Sequence, residues 1–169
     1  MIGTIFFLSG FYLFHMMATI VYCGCVLLIF AANYRLLTPL QSTGGVMLNP
    51  VKRKRLLTTA WLCLAVIGVT GMFQMSASAA YEGFLAIDNP WSVAIFGKHL
   101  LVLVFLGVKG YLTMIQEPNL IRAAFLAEKG IEIENQKLMQ TARSENRAIM
   151  VLGALFVLIL LFTSLARAA

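Results

Sequence analysis

His15 and His99 are the two histidines of a 169-residue chain, and both fall inside long apolar runs. Ionisable side chains are costly in lipid, so each is a candidate functional group. Neutral imidazole nitrogens are ligands for haem iron and for copper. Entered from the same side, His15 lies about ten and His99 about seven residues into its helix, depths of roughly 15 and 11 Å. Two imidazoles on different helices at similar depth could hold one haem iron between them, or a copper ion with Met or Cys nearby. The plainer alternative is two histidines hydrogen-bonded to neighbouring helices.

Other side chains group around these two. Thr19 and Tyr22 follow His15 at i+4 and i+7, a polar stripe on one helix face that could orient the imidazole. Lys98 and Lys109 are three helical turns apart and point the same way. Lys109 lies near a helix end, where its stem can snorkel. Lys98 is deeper, and could meet a carboxylate such as a haem propionate. Met72 and Met75 close an apolar run and, with His15 and His99, offer a soft path for copper, although methionines also serve simply as packing residues. Cys23, Cys25 and Cys63 read as small buried thiols. Cys23 and Cys25 stand about 200° apart on a helix and cannot bridge.

The elements that must carry these groups are membrane helices. The chain is 60% apolar and 12% charged, with a mean hydropathy of +0.87. Ordinary soluble domains carry about 25% charged residues, so a soluble enzyme is excluded, as is a disordered chain. A span needs about 20 apolar residues, and four runs supply it. The expected architecture is all-α: one membrane domain over residues 1–169, with helices near 5–31, 56–79, 92–115 and 148–167. The expected connections 32–55 and 116–147 hold most of the Lys and Arg, whereas the connection holding Glu82 and Asp88 has none. The positive-inside rule then puts the two basic connections in the cytoplasm and both termini outside, in a bacterial inner membrane. Ser42-Thr43-Gly44-Gly45 and Asn49-Pro50 mark turns, and Trp91 suits an interface. Residues 118–146 are amphipathic, as expected of a third helix leaving the membrane and a chain returning to the fourth. The first run has no basic leader segment or clear cleavage site, so it is expected to be retained.

A net charge of +6 could suit nucleic acid, but its placement in the connections suits topology and lipid headgroups better. The expected partners are the bilayer and other subunits of a membrane redox complex, not nucleic acid. No Ser-His-Asp set, phosphate-binding loop or dinucleotide fingerprint occurs. The spans as drawn contain no carboxylate, a poor basis for a proton or cation pathway.

The segments Leu13-Phe14-His15-Met16-Met17-Ala18 and Val21-Tyr22-Cys23-Gly24 resemble the first helix of the copper-resistance protein D (CopD) family and the related HemJ-type protoporphyrinogen oxidases. Lys52-Arg53-Lys54-Arg55-Leu56-Leu57 and Val69-Thr70-Gly71 are similar to the basic entry and Thr-Gly end of their second helix. Phe96-Gly97-Lys98-His99-Leu100-Leu101-Val102-Leu103 is similar to their lysine-containing third helix, and Arg143 to Arg147 to the charged approach to the last. The resemblance covers most of the chain. It implies haem b or copper as cofactor, with roles for His15 and Lys98. The chain departs from the oxidases in lacking an Asn-Glu-x-Pro element before the last helix. It also reduces their segment after the first helix to Asn33-Tyr34-Arg35. His99, directly after the family lysine, offers a second axial ligand, which suits an electron carrier. The leading expectation is therefore a membrane haem b protein for electron transfer, a small subunit of a redox complex. Copper handling, protoporphyrinogen oxidation and a structural subunit without cofactor are the alternatives.

Overall fold

A computed structural model describes residues 2–37, 50–78, 81, 89–128 and 132–168. The chain is all-α over these residues. Helix α1 spans Ile2–Leu37, α2 Pro50–Ser76 and α3 Pro90–Tyr111. A short π-helical turn, Leu112–Gln116, joins α3 to α4, Glu117–Glu128, and α5 runs Glu132–Ala168. Four stretches are long and apolar enough to cross a membrane: Ser9–Tyr34, Pro50–Ser76, Pro90–Leu126 and Gln136–Ala166. The Ser42–Gly45 turn, Asn49, Glu82 and Asp88 lie outside the described residues.

Helix α1 packs mainly on α2, and α3 on α5; α1 also packs on α5, and α4 continues alongside α5. Small residues sit at these contacts, among them Ala18, Cys25, Ala60, Cys63 and Ala94, all buried. They let helix backbones approach where no hydrophobic driving force separates side chain from solvent. Gly97 is an extreme case, since a Cβ there would lie 2.6 Å from the Phe162 ring of α5. The large apolar side chains point the other way. Leu13, Phe14, Leu27, Leu62, Leu103 and Leu161 are all more than half exposed, as lipid-facing residues should be. All three cysteines are free thiols.

The start of α3 is fixed locally. Asn89 Oδ1 accepts from the Ser92 backbone N–H at 2.8 Å, and Ser92 Oγ accepts from the Asn89 N–H at 3.2 Å. This reciprocal cap satisfies two of the helix's orphan donors, and Pro90 begins the helix where no donor is needed. Trp91 stacks edge-on against Tyr81.

The helices continue well past the apolar runs. Helix α1 reaches residue 37, α2 begins at residue 50, and the described residues of the connection after α3 are helical. Arg53, Glu117 and Glu145, at the ends of the apolar runs, are buried inside the bundle.

Candidate functional site

Two polar levels lie along the bundle. The first surrounds His15. A 100° step per residue puts His15, Tyr22 and Asn33 on one face of α1, the inward one. His15 Nδ1 lies 2.9 Å from Thr70 Oγ1 of α2. The Thr70 hydroxyl has one proton, and it is directed to the Val66 carbonyl at 2.6 Å. With that proton on Val66, Thr70 can accept from His15, an arrangement that favours the tautomer with its proton on Nδ1 and its lone pair on Nε2. Gly71 follows on the same helix, and a Cβ there would stand 3.6 Å from His15 Cε1, so the imidazole lies directly against the α2 backbone. Gln74 Nε2 donates to the Phe11 carbonyl at 3.4 Å, one turn further along.

The inward face of α3 carries Ala94, Lys98, Phe105 and Lys109 by the same helical count. Lys98 is half-buried, and its charge bears on the His15 ring. His99 lies one residue and 100° further round α3. Its Nδ1 donates to the Ile95 carbonyl at 2.7 Å, which places its lone pair on Nε2 as well. Both expected ligand histidines are half-buried.

The remaining expected members are distributed differently. Thr19 Oγ1 donates back to the His15 carbonyl at 2.8 Å, so it satisfies the α1 backbone rather than the imidazole. Tyr22 is buried, packs on Phe105, and has the Lys109 ammonium 6.0 Å from its ring centroid. It belongs to the second level. Met72 is 60% exposed, on the outer face of α2, whereas Met75 is half-buried. Among the described residues no group of three or more His, Cys, Asp or Glu is placed to hold a metal ion.

The second level was not anticipated as a site. Arg53 of α2 is fully buried. Its Nε donates to both carboxylate oxygens of Glu117, at 2.8 and 2.6 Å. One terminal nitrogen donates to Asn33 Oδ1 at 2.9 Å, the other to Glu145 Oε1 at 2.5 Å. One guanidinium thus ties α1, α2, α4 and α5 together. Lys109 and Asn146 are buried beside it. Trp61 Nε1 donates to Thr113 Oγ1 at 3.2 Å, joining α2 to the π-helical turn on the same side.

This level corrects the expectation that the spans hold no carboxylate. Glu117 and Glu145 both lie inside stretches long and apolar enough to span, and both are buried. Sequence reading missed them because a charge at the edge of an apolar run marks the membrane boundary equally well. The available signal was an excess: Asn33, Arg53, Glu117, Glu145 and Asn146 all sit at the same ends of their respective runs, as complementary partners would.

Chemically, the first level presents a lone-pair nitrogen on an oriented imidazole beside a lysine. The second presents an ion-pair cluster with unfilled hydrogen-bonding capacity. Compared with known protein families, with curated proteins and with solved structures, the chain matches none of them.

Proposed function

We propose that the protein binds haem b in the membrane, with His15 as an iron ligand, and serves electron transfer as a small redox subunit of a bacterial inner membrane. One observation carries this reading: His15 Nδ1 stands 2.9 Å from Thr70 Oγ1, a contact that leaves Nε2 of a half-buried imidazole as the nitrogen available to a ligand. Ligand histidines are characteristically oriented in this way by a hydrogen bond from their other nitrogen. A haem would supply the one-electron couple. Lys98, whose charge reaches His15, suits a propionate carboxylate at the same level. His99, with its Nδ1 held by Ile95, is the second ligand in this reading. Met72, directed outward, gives the copper path less support.

The test is a reduced-minus-oxidised absorption spectrum of the detergent-purified protein, with iron and copper measured on the same sample. About one iron per chain and a sharp reduced α-band near ~560 nm are expected of a low-spin haem b with two histidine ligands. His15→Ala should abolish haem retention. His99→Ala should retain haem but convert it to a high-spin spectrum. Stoichiometric haem in His15→Ala would overturn the assignment, as would copper without iron in the unsubstituted protein.

A further inference from the structure

Glu145 leaves half of its carboxylate unused. Oε1 accepts from Arg53, but Oε2 is buried with no hydrogen-bond partner, and the neighbouring Asn33 Nδ2 is buried and unpaired as well. The side chain of Glu145 is only 4% exposed, so bulk water does not satisfy that oxygen. Directly beside it is a void of about 10 Å³ lined by Lys109, Glu145, Val26, Ile29, Leu57, Leu112, Ile149 and Leu152. The last six are apolar; Lys109 and Glu145 supply all the polarity. Lys109 is 3% exposed, and its described interactions are the Tyr22 ring and the charges of Glu145 and Glu117. A void of this size has room for about one water, and a water there gains partners on both sides.

We propose that this void is a proton-exchange site: one water bridges the Lys109 Nζ and Glu145 Oε2 inside the bundle. The Lys109 ammonium donates to the water oxygen, and the water donates to Oε2. Transfer breaks one N–H bond at Lys109 and forms one O–H bond at Oε2, with the water giving up one proton as it receives another. An ammonium and a carboxylate become an amine and a carboxylic acid. The pair stays neutral in total, and no electron moves. The groups facing the pair are Tyr22, Cys25 and Asn33 from α1, Arg53 from α2 and Glu117 from α4. Arg53 is already committed to Glu117, Asn33 and Oε1, so it holds the carboxylate in place while Oε2 carries the proton. The site needs no cofactor and is independent of the haem reading.

The test is temperature-difference infrared spectroscopy of the full chain in lipid nanodiscs at one neutral pH, in ordinary water and in ¹⁸O-labelled water. A carboxylic acid C=O band should grow as the Lys109 ammonium band falls, in step with a water O–H band that shifts in ¹⁸O water. Glu145→Gln should remove the C=O band, and Lys109→Met should abolish the coupled water band. Leu152→Phe, which fills the void without touching the ion pair, should remove the water band alone. This variant keeps the test decisive if either charged-residue variant fails to fold. Absence of a carboxylic acid band in the unsubstituted protein would overturn the proposal. So would a band that survives Glu145→Gln, or a water band that persists in Leu152→Phe.

Discussion

Arg53 shows why a single side chain can dominate a bundle of this size. Removing a charge from water is expensive, and only good geometry with complementary charge offsets it. Arg53 has that geometry: two carboxylates and an amide oxygen accept its protons, and none of its surface is exposed. Losing the arginine would strand Glu117 and Glu145 facing each other across a buried space. Arg53→Met is therefore expected to cost about 3–5 kcal/mol. A triple variant that adds Glu117→Gln and Glu145→Gln should recover most of the loss, because neutral amides can pair with each other. The buried thiols Cys25 and Cys63 provide the readout, since a thiol-reactive dye will report the temperature at which the bundle opens. Equal melting temperatures for the parent and Arg53→Met would show that the cluster is solvated and contributes little.

At the scale of the element, the π-helical turn decides whether Glu117 can join that cluster. Twelve residues separate Phe105 from Glu117. On an unbroken α-helix, 100° per residue would place Glu117 about 120° from Phe105, away from the inward face. The turn at Leu112–Gln116 absorbs one extra residue, which brings Glu117 back to within about 20° of Phe105. Pro118 follows at once, where the helical hydrogen-bond ladder is already disturbed. Deleting the half-exposed Ile115 together with Pro118→Ala should thus restore a regular helix and keep Glu117 directed inward, with little loss of stability. Inserting one alanine after Ile115 should turn Glu117 and all of α4 by about 100° and remove the Arg53–Glu117 pair. The insertion should lower the dye-monitored melting temperature as much as Glu117→Ala does; equal tolerance of deletion and insertion would refute this role for the turn. The same turn explains what was legible in the sequence. Four apolar runs announce four helices, because hydropathy needs only composition and length. The ion-pair cluster is not announced, because Arg53 meets partners 64 and 92 residues away, through a register that regular helical counting gets wrong. His15 lay between: its burial was readable from its neighbours, but its partner Thr70 is 55 residues distant and only packing reveals it.

Taken as a whole, the molecule is polarised along its long axis. Helix α5 has 37 residues, a length of about 55 Å, against a hydrocarbon core of about 30 Å. One end must project, and α4 lying alongside α5 shows which end it is. Exposed Lys52, Lys54, Arg55, Arg122, Lys137, Arg143 and Arg147 all belong to that end. The internal charges there cancel: Arg53 and Lys109 are balanced by Glu117 and Glu145, and the other lysines and arginines of that end outnumber Glu128, Glu132 and Glu134. Opposite them, α3 begins at Asn89 and Pro90 with Trp91 and Tyr81 stacked at the boundary, an aromatic anchor without a neighbouring described cation. Positively charged segments are retained on the cytoplasmic side during insertion, so the projecting end is expected to be cytoplasmic and both termini external. Fusing alkaline phosphatase to the C-terminus should give an active enzyme, and fusing green fluorescent protein there should give a dark cell. A fluorescent C-terminal fusion would reverse the orientation and put the His15 level nearer the cytoplasm than the ion-pair cluster. Under the expected orientation, the cluster and its proton-exchange void face the cytoplasm. His15 and Lys98 then sit in the outer half, about 25 Å from the cluster along the helix axes.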